Sequence, residues 1–220
     1  MGGWTPPTSS TTQQISGSGS VVSTTTTSSD SGTDALQSMY SQSWGYAAAQ
    51  NASALGVNPD ALAATCVVES GCRNVYTANS NSSITGAFQM SNGTYNEALQ
   101  KALASNPSLA STITNTGISG QQDPATQAVA AAQYLKDAAT TLQNAGISNP
   151  TALDARAYYN FGPTAGQAIA RATDDTPMSE FVSASHMASN GISSNETVGQ
   201  WRANVASKMG SAASSPILSS

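Results

Sequence analysis

Glu69 is the residue in this sequence best suited to acid–base chemistry. It follows a largely apolar run, residues 61 to 68, and shares a predicted helix face with Leu62 and Cys66. Apolar neighbours and the negative end of the helix dipole both favour the protonated carboxyl group, which a general acid requires. The alternative is a solvated glutamate at a helix end. Capping of predicted first turns explains the other three glutamates, Glu97, Glu180 and Glu196.

The composition argues against several classes of function. Charged residues make up 9% of the chain, against about 25% in an ordinary soluble protein, and a surface rich in hydroxyl and amide groups suits sugars better than phosphates. The net charge of -5 argues against nucleic acid, whose binding needs clustered Lys and Arg. Two cysteines and one histidine form no metal-ligand pattern. We therefore expect no metal and no cofactor.

Helical periodicity dominates residues 34–210 and predicts a mainly α-helical domain, with at most a short β-hairpin within residues 82–90. No apolar run approaches the roughly 20 residues of a membrane-spanning helix. Helix starts are predicted at Asn58-Pro59, Asp123-Pro124, Asn149-Pro150 and Thr176-Pro177, and at the capping-box pattern from Thr94 to Glu97.

The two ends of the chain have a different composition from the helical region. Residues 1–33 are rich in Ser, Thr and Gly, carry one charge and predict a disordered leader with no recognisable signal peptide. This leader is either a passive tether or a segment that becomes ordered on a partner. Residues 211–220 predict a loose C-terminal tail.

Cys66 and Cys72 flank Glu69 in the sequence. Six residues along one straight helix rise about 9 Å, which is beyond the reach of a disulfide. A bridge therefore requires the helix to end near Ser70, with Gly71 supplying the turn. We predict this disulfide, and the alternative is two buried free thiols.

Three short motifs occur in order along the chain. They are Glu69-Ser70, the Gly-Leu-Met-Gln-type segment Gly86-Ala87-Phe88-Gln89-Met90, and the Ala-Tyr-Asn-Ala-Gly-type segment Ala157-Tyr158-Tyr159-Asn160-Phe161-Gly162. Together with Asp123-Pro124 and Tyr134-Leu135 between them, they resemble the lysozyme-like, soluble lytic transglycosylase (SLT-type) family, which cleaves peptidoglycan. The resemblance covers about residues 50–165.

The resemblance implies a lysozyme-like α-helical fold and a role for each matched residue. Glu69 would protonate the glycosidic oxygen and then act as base on the C6 hydroxyl of the muramic residue, which gives a 1,6-anhydro end. Tyr159 would hydrogen-bond Glu69 and orient it, while Tyr158 would belong to the core. The implied substrate-binding residues are Ser70, Gln89, Met90, Asn160 and, from the longer loop before Gly86, Ser82 or Ser83.

A hydrolytic muramidase on the same fold is the first alternative. Such an enzyme normally needs a second carboxylate, about 5 to 9.5 Å from the first. The later candidates are Asp123, Asp154, Asp174 and Asp175. Helix capping explains Asp123 better, and an exposed turn explains the pair at 174 and 175. A single acid favours transglycosylation.

The expected partners are peptidoglycan glycan strands, so the expected place of action is the bacterial cell wall. Delivery inside a phage virion or by a secretion machine would bring the leader into contact with proteins of that assembly. The second alternative is a non-catalytic module that binds glycan or scaffolds a virion. The intact motif positions favour an enzyme.

Overall fold

The computed structural model describes residues 32–75 and 83–220, together with the backbone of the two-residue strands β1 (Gln14–Ile15) and β2 (Val21–Val22), which pair antiparallel. The described part of the chain is mainly helical, as the sequence predicts. Most of the leader falls outside the described residues, and its predicted disorder stays a prediction. Within residues 83–90 the strand content is one bridge, Thr85 with Met90.

Nine α-helices follow one another along the described residues. They are α1 (Asp34–Tyr40), α2 (Gly45–Ala54), α3 (Pro59–Ser70), α4 (Asn92–Ser105), α5 (Pro124–Asn144), α6 (Ala152–Phe161), α7 (Pro163–Arg171), α8 (Ala184–Ser189) and α9 (Val198–Met209). Short 3₁₀ turns occupy Pro107–Ser111, Ile118–Gln122, Met178–Glu180 and Gly210–Ser214.

Two of the predicted helix starts are confirmed by their caps. The Asn58 side chain accepts a hydrogen bond from the amide of Asp60 at the start of α3, and Asp123 accepts one from the amide of Thr126 at the start of α5. In both helices proline occupies the first turn, where its missing N–H costs nothing.

The other predicted starts are displaced or wrong. Thr151 caps α6, two residues after Asn149, because its hydroxyl and the Asp154 carboxylate form a capping box. Thr176-Pro177 precedes only a 3₁₀ turn. Helix α4 begins before the predicted box at Thr94, since Ser91 accepts the hydrogen bond of the Thr94 amide.

Helix α5 lies at the centre of the fold, where it contacts α2, α4 and α6. Its alanines from Ala128 to Ala132 are all fully buried. Helix α3 is similarly buried from Ala61 to Cys66 and contacts α1, α2 and α9. Small side chains on these helices allow neighbouring backbones to come close, and the two buried helices fix the positions of the polar residues at their ends.

The predicted loose tail, residues 211–220, is wrong. Ile217 is fully buried, its carbonyl accepts a hydrogen bond from the amide of Asn58, and its own amide donates to Pro150. The amide of Ala152 donates to Ser215. Burial of an isolated apolar side chain outweighs the Ser- and Ala-rich composition around it. The segment therefore joins the starts of α3 and α6.

Candidate functional site

The end of α3 presents Glu69. The helix stops at Ser70, and Gly71 adopts a left-handed φ of 67°, which glycine does without steric cost. Amides after the helix then donate back to its last carbonyls, Gly71 to Val67 and Cys72 to Cys66. The predicted disulfide between Cys66 and Cys72 is confirmed, with a Cα–Cα distance of 4.7 Å. Glu69 thus lies at the C-terminal end of α3, where the disulfide covalently fixes the turn that follows the helix.

Glu69 lines a cavity of about 600 Å³. Five of the predicted site residues meet there: Glu69, Gln89, Met90, Tyr159 and Asn160. The sequence analysis missed several others, namely Ser91 before α4, Thr94 on α4, Tyr134 on α5, and Ser189 and Asn190 at the end of α8. We call Ser189 and Asn190 the wall of the cavity. Residues of α4, α5 and α8 therefore bound the cavity in addition to the two helices that carry Glu69 and Tyr159.

Two predicted substrate-binding serines do not line the cavity. The hydroxyl of Ser70 donates to the carbonyl of Ala87 over 2.7 Å and so ties α3 to the next motif. The hydroxyl of Ser83 accepts from the amide of Asn92 over 3.1 Å at the start of α4. Both hydroxyls bond backbone groups and so have structural roles, while their contact with a sugar stays a prediction. Ser82 lies outside the described residues.

Arg156, on α6, contacts Glu69, and the sequence analysis missed it. Its Nη1 lies 2.5 Å from Oε1 of Glu69, and the two side chains are only 8% and 14% exposed. The expected apolar surroundings of the Glu69 carboxyl group are therefore corrected, because a guanidinium contacts it. One signal was present in the sequence: Arg156 precedes Tyr159 by three residues and shares its helix face.

Tyr159 does not hydrogen-bond Glu69, contrary to the prediction. Its hydroxyl donates to the carbonyl of Phe88 over 2.7 Å. Burial raises the pKa of Tyr159 well above its usual value, and the nearby Glu69 carboxylate raises this pKa further. The phenol therefore stays a donor at neutral pH. Tyr158 is 5% exposed and packs on Tyr134, which places it in the core as expected.

The loop Gly86–Met90 is held by a second residue that the sequence analysis missed, the fully buried Gln127 on α5. Its Oε1 accepts the amide of Phe88 over 2.9 Å and its Nε2 donates to the carbonyl of Thr85 over 2.8 Å. A Cβ on Gly86 would lie 2.3 Å from Oε1 of Gln127, so no larger residue fits at this position. We call Glu69, Arg156 and this loop the floor of the cavity.

Among the described residues that line the cavity, Glu69 carries the single carboxylate. The four aspartates considered as second carboxylates have other roles. Asp123 and Asp154 cap α5 and α6, Asp174 pairs with Arg202, and Asp175 bonds the hydroxyl of Thr173. Across the described ranges, no group of three His, Cys, Asp or Glu residues is arranged to hold a metal. Within those ranges no helix has the length and apolar character to cross a bilayer.

Comparison with known proteins assigns no family to the chain: no family model matches it, and no curated protein sequence matches it either. The resemblance to lytic transglycosylases therefore rests on the three motifs. The geometry around Glu69 carries the functional argument.

Proposed function

We propose that this protein is a peptidoglycan lytic transglycosylase with a lysozyme-like helical domain. It would cut the β-1,4 bond between N-acetylmuramic acid and N-acetylglucosamine and leave 1,6-anhydro-muramic ends. The observation that carries the proposal is a carboxylate at the end of a buried helix, the only one among the described lining residues, in a cavity large enough for sugar rings. The order of the three motifs supports it independently.

The proposed reaction uses one acid twice. Glu69 gives its proton to the glycosidic oxygen as the bond from that oxygen to C1 of the muramic residue breaks. The resulting carboxylate then takes the proton of the C6 hydroxyl as the C6 oxygen bonds to C1. Glu69 is protonated again, and no water is consumed. A second carboxylate, which would activate water or form a glycosyl-enzyme, is not needed.

The lining of the cavity supports a glycan ligand. Side chains with amide or hydroxyl groups surround Glu69, including Gln89, Thr94, Asn160 and Asn190. Such groups match the hydroxyl and acetamido groups of amino sugars. In the proposal, Gln89, Met90 and Asn160 contact the sugars, while Tyr159 acts indirectly through its bond to Phe88. Since the described lining residues include no Lys or Arg, affinity would come from hydrogen bonds and aromatic faces rather than charge.

The test is product analysis of purified sacculi digested in heavy-oxygen water. Transglycosylation predicts soluble muropeptides with anhydro ends and no heavy oxygen, whereas hydrolysis predicts reducing ends that carry the label. The variant Glu69→Gln is the inactive control. Labelled reducing ends as the main product would replace this proposal by the hydrolytic muramidase.

One observation favours the non-catalytic alternative. Glu69 forms a largely buried ion pair with Arg156, which is sufficient to explain a carboxylate at this helix end. In a glycan-binding module this ion pair would have only a structural role. Sacculi that bind the protein but release no fragments at any pH would support that alternative, as would a glycan affinity that Glu69→Gln leaves unchanged.

A further inference from the structure

The ion pair between Glu69 and Arg156 joins residues 87 positions apart in the sequence. It lies at the cavity, although both side chains are largely buried. Structural ion pairs are usually exposed on the surface, where they contribute little. A buried arginine carries a large desolvation cost, which this carboxylate offsets. Because the candidate acid is itself one member of this buried pair, Arg156 can act on the reaction through Glu69.

The two oxygens of Glu69 have different surroundings. Oε1 accepts from Nη1 of Arg156. Oε2 accepts no hydrogen bond from the described residues, and its residue lines the cavity. A carboxyl group held by one oxygen cannot rotate freely, so the second oxygen is the one available for proton transfer. This asymmetry is what a general acid and base needs, because it must present one atom to the glycosidic oxygen and then to the C6 hydroxyl.

We propose that Arg156 is the positioning residue of the reaction: it holds Oε1 of Glu69 and leaves Oε2 to carry the transferred proton. This inference rests on the proposed function. Arg156 touches neither sugar nor reacting atoms in the proposal and acts only through Glu69.

Few other charged groups of the described residues lie near Glu69. Within residues 32–75 and 83–220, the charged or titratable side chains that contact Glu69 or line the cavity are Arg156 and Tyr159 on α6 and Tyr134 on α5. Burial raises the pKa of Tyr134 to about 12 and that of Tyr159 well above its usual value. Neither phenol titrates near neutral pH. Residues 83–91 and the described ends of α4 and α8 contribute uncharged lining side chains.

The test is the kinetics of fragment release from sacculi, kcat and KM, for the wild type, Arg156→Gln and Arg156→Lys. Arg156→Gln is expected to lower kcat about tenfold, because Glu69 is no longer held, and to leave KM near the wild-type value, because Arg156 touches no sugar in the proposal. Arg156→Lys keeps one charged donor for Oε1 but not the planar guanidinium, so its kcat is expected to lie between those of the wild type and Arg156→Gln.

Arg202→Gln is the matched control, because Arg202 also pairs with a carboxylate, that of Asp174, and lies outside the cavity. Its kcat and KM are expected to match the wild type. A kcat of Arg156→Gln that equals that of Arg202→Gln overturns the inference, and so does a loss of activity in Arg156→Gln that appears only as a higher KM. If Arg156→Gln does not fold, a wild-type rate in Arg156→Lys overturns it instead. An inactive wild type overturns the proposed function and this inference together, whereas an active wild type with indifferent Arg156 variants overturns this inference alone.

Discussion

Hydrogen bonds on the floor of the cavity join segments far apart in the sequence, whereas those of the wall stay within four residues. Gln127 reaches back 39 residues to Phe88, and Tyr159 reaches back 71. In the wall, the side chains of Ser189 and Asn190 both donate to the carbonyl of His186. The wall residues are also exposed, while the floor is largely buried.

This difference separates two functions within one cavity. A floor cross-linked to three helices can hold Glu69 and its partners within the small tolerance that proton transfer needs. The side chains of the wall hydrogen-bond to the carbonyl of His186 on the same short helix. Substitutions in the wall should therefore leave the fold undisturbed. We therefore expect the floor to determine the chemistry and the wall to determine which substituents on the glycan are accepted.

Glu69→Gln is expected to have the largest effect on activity. Loss of the acid and base should lower fragment release about 10²- to 10⁴-fold with the fold retained, because an amide replaces the carboxyl group at similar volume. Glu180→Gln is the control, since Glu180 is exposed in a 3₁₀ turn away from the cavity. Zymography and circular dichroism measure both. Equal loss in the two variants would remove Glu69 from the mechanism.

Gln127→Met tests the long-range bonding of the floor. It leaves the buried Phe88 amide and the Thr85 carbonyl without Gln127, at a cost of about 2–4 kcal/mol in the free energy of unfolding. Gln133→Met is the control on the same helix: Gln133 is also buried, but its Oε1 has no partner and its Nε2 donates only to Asp137, one turn along α5. Measured by urea denaturation, Gln133→Met should lower the free energy of unfolding by about 1 kcal/mol or less. Similar losses in both variants would show that α5 itself, not the loop contact, is being weakened.

The disulfide supports the floor locally. Closing a short loop between Cys66 and Cys72 should contribute about 2 kcal/mol, so a reductant should lower the melting temperature by about 4–8 °C. The double variant Cys66→Ala, Cys72→Ala should start from the lower value and not respond to reductant. A wild type that melts at the same temperature with and without reductant would exclude this contribution.

Asn190→Ala tests the wall and should have the smallest effect. Loss of one sugar contact predicts a KM increase of about 2- to 10-fold, with kcat and the melting temperature close to the wild type. Asn195→Ala, at an exposed position outside the cavity, should change neither constant. A large fall in kcat for Asn190→Ala would place the wall among the residues that determine the chemistry.

The parts of the site that the sequence predicts are those set by local interactions. The end of α3 at Gly71, the cap at Asp123 and the Cys66–Cys72 bridge each depend on residues within six positions of one another. Arg156 and Gln127 could not be assigned in this way, because their partners are 87 and 39 residues away. A charged or polar side chain on a buried helix face indicates that the side chain needs a hydrogen-bonding partner. It does not indicate which residue that partner is.

The C-terminal segment that joins the starts of α3 and α6 has a consequence for the order of folding. Asn58 and Ala152 both hydrogen-bond to residues in the range 215–217. The N-terminal ends of the two helices that carry Glu69 and Arg156 are therefore held by residues that are synthesised later than both helices. During synthesis, a nascent chain can form each helix early and still lack the contacts that set one against the other. Assembly of the ion pair is thus expected only after residues 215–217 have emerged from the ribosome.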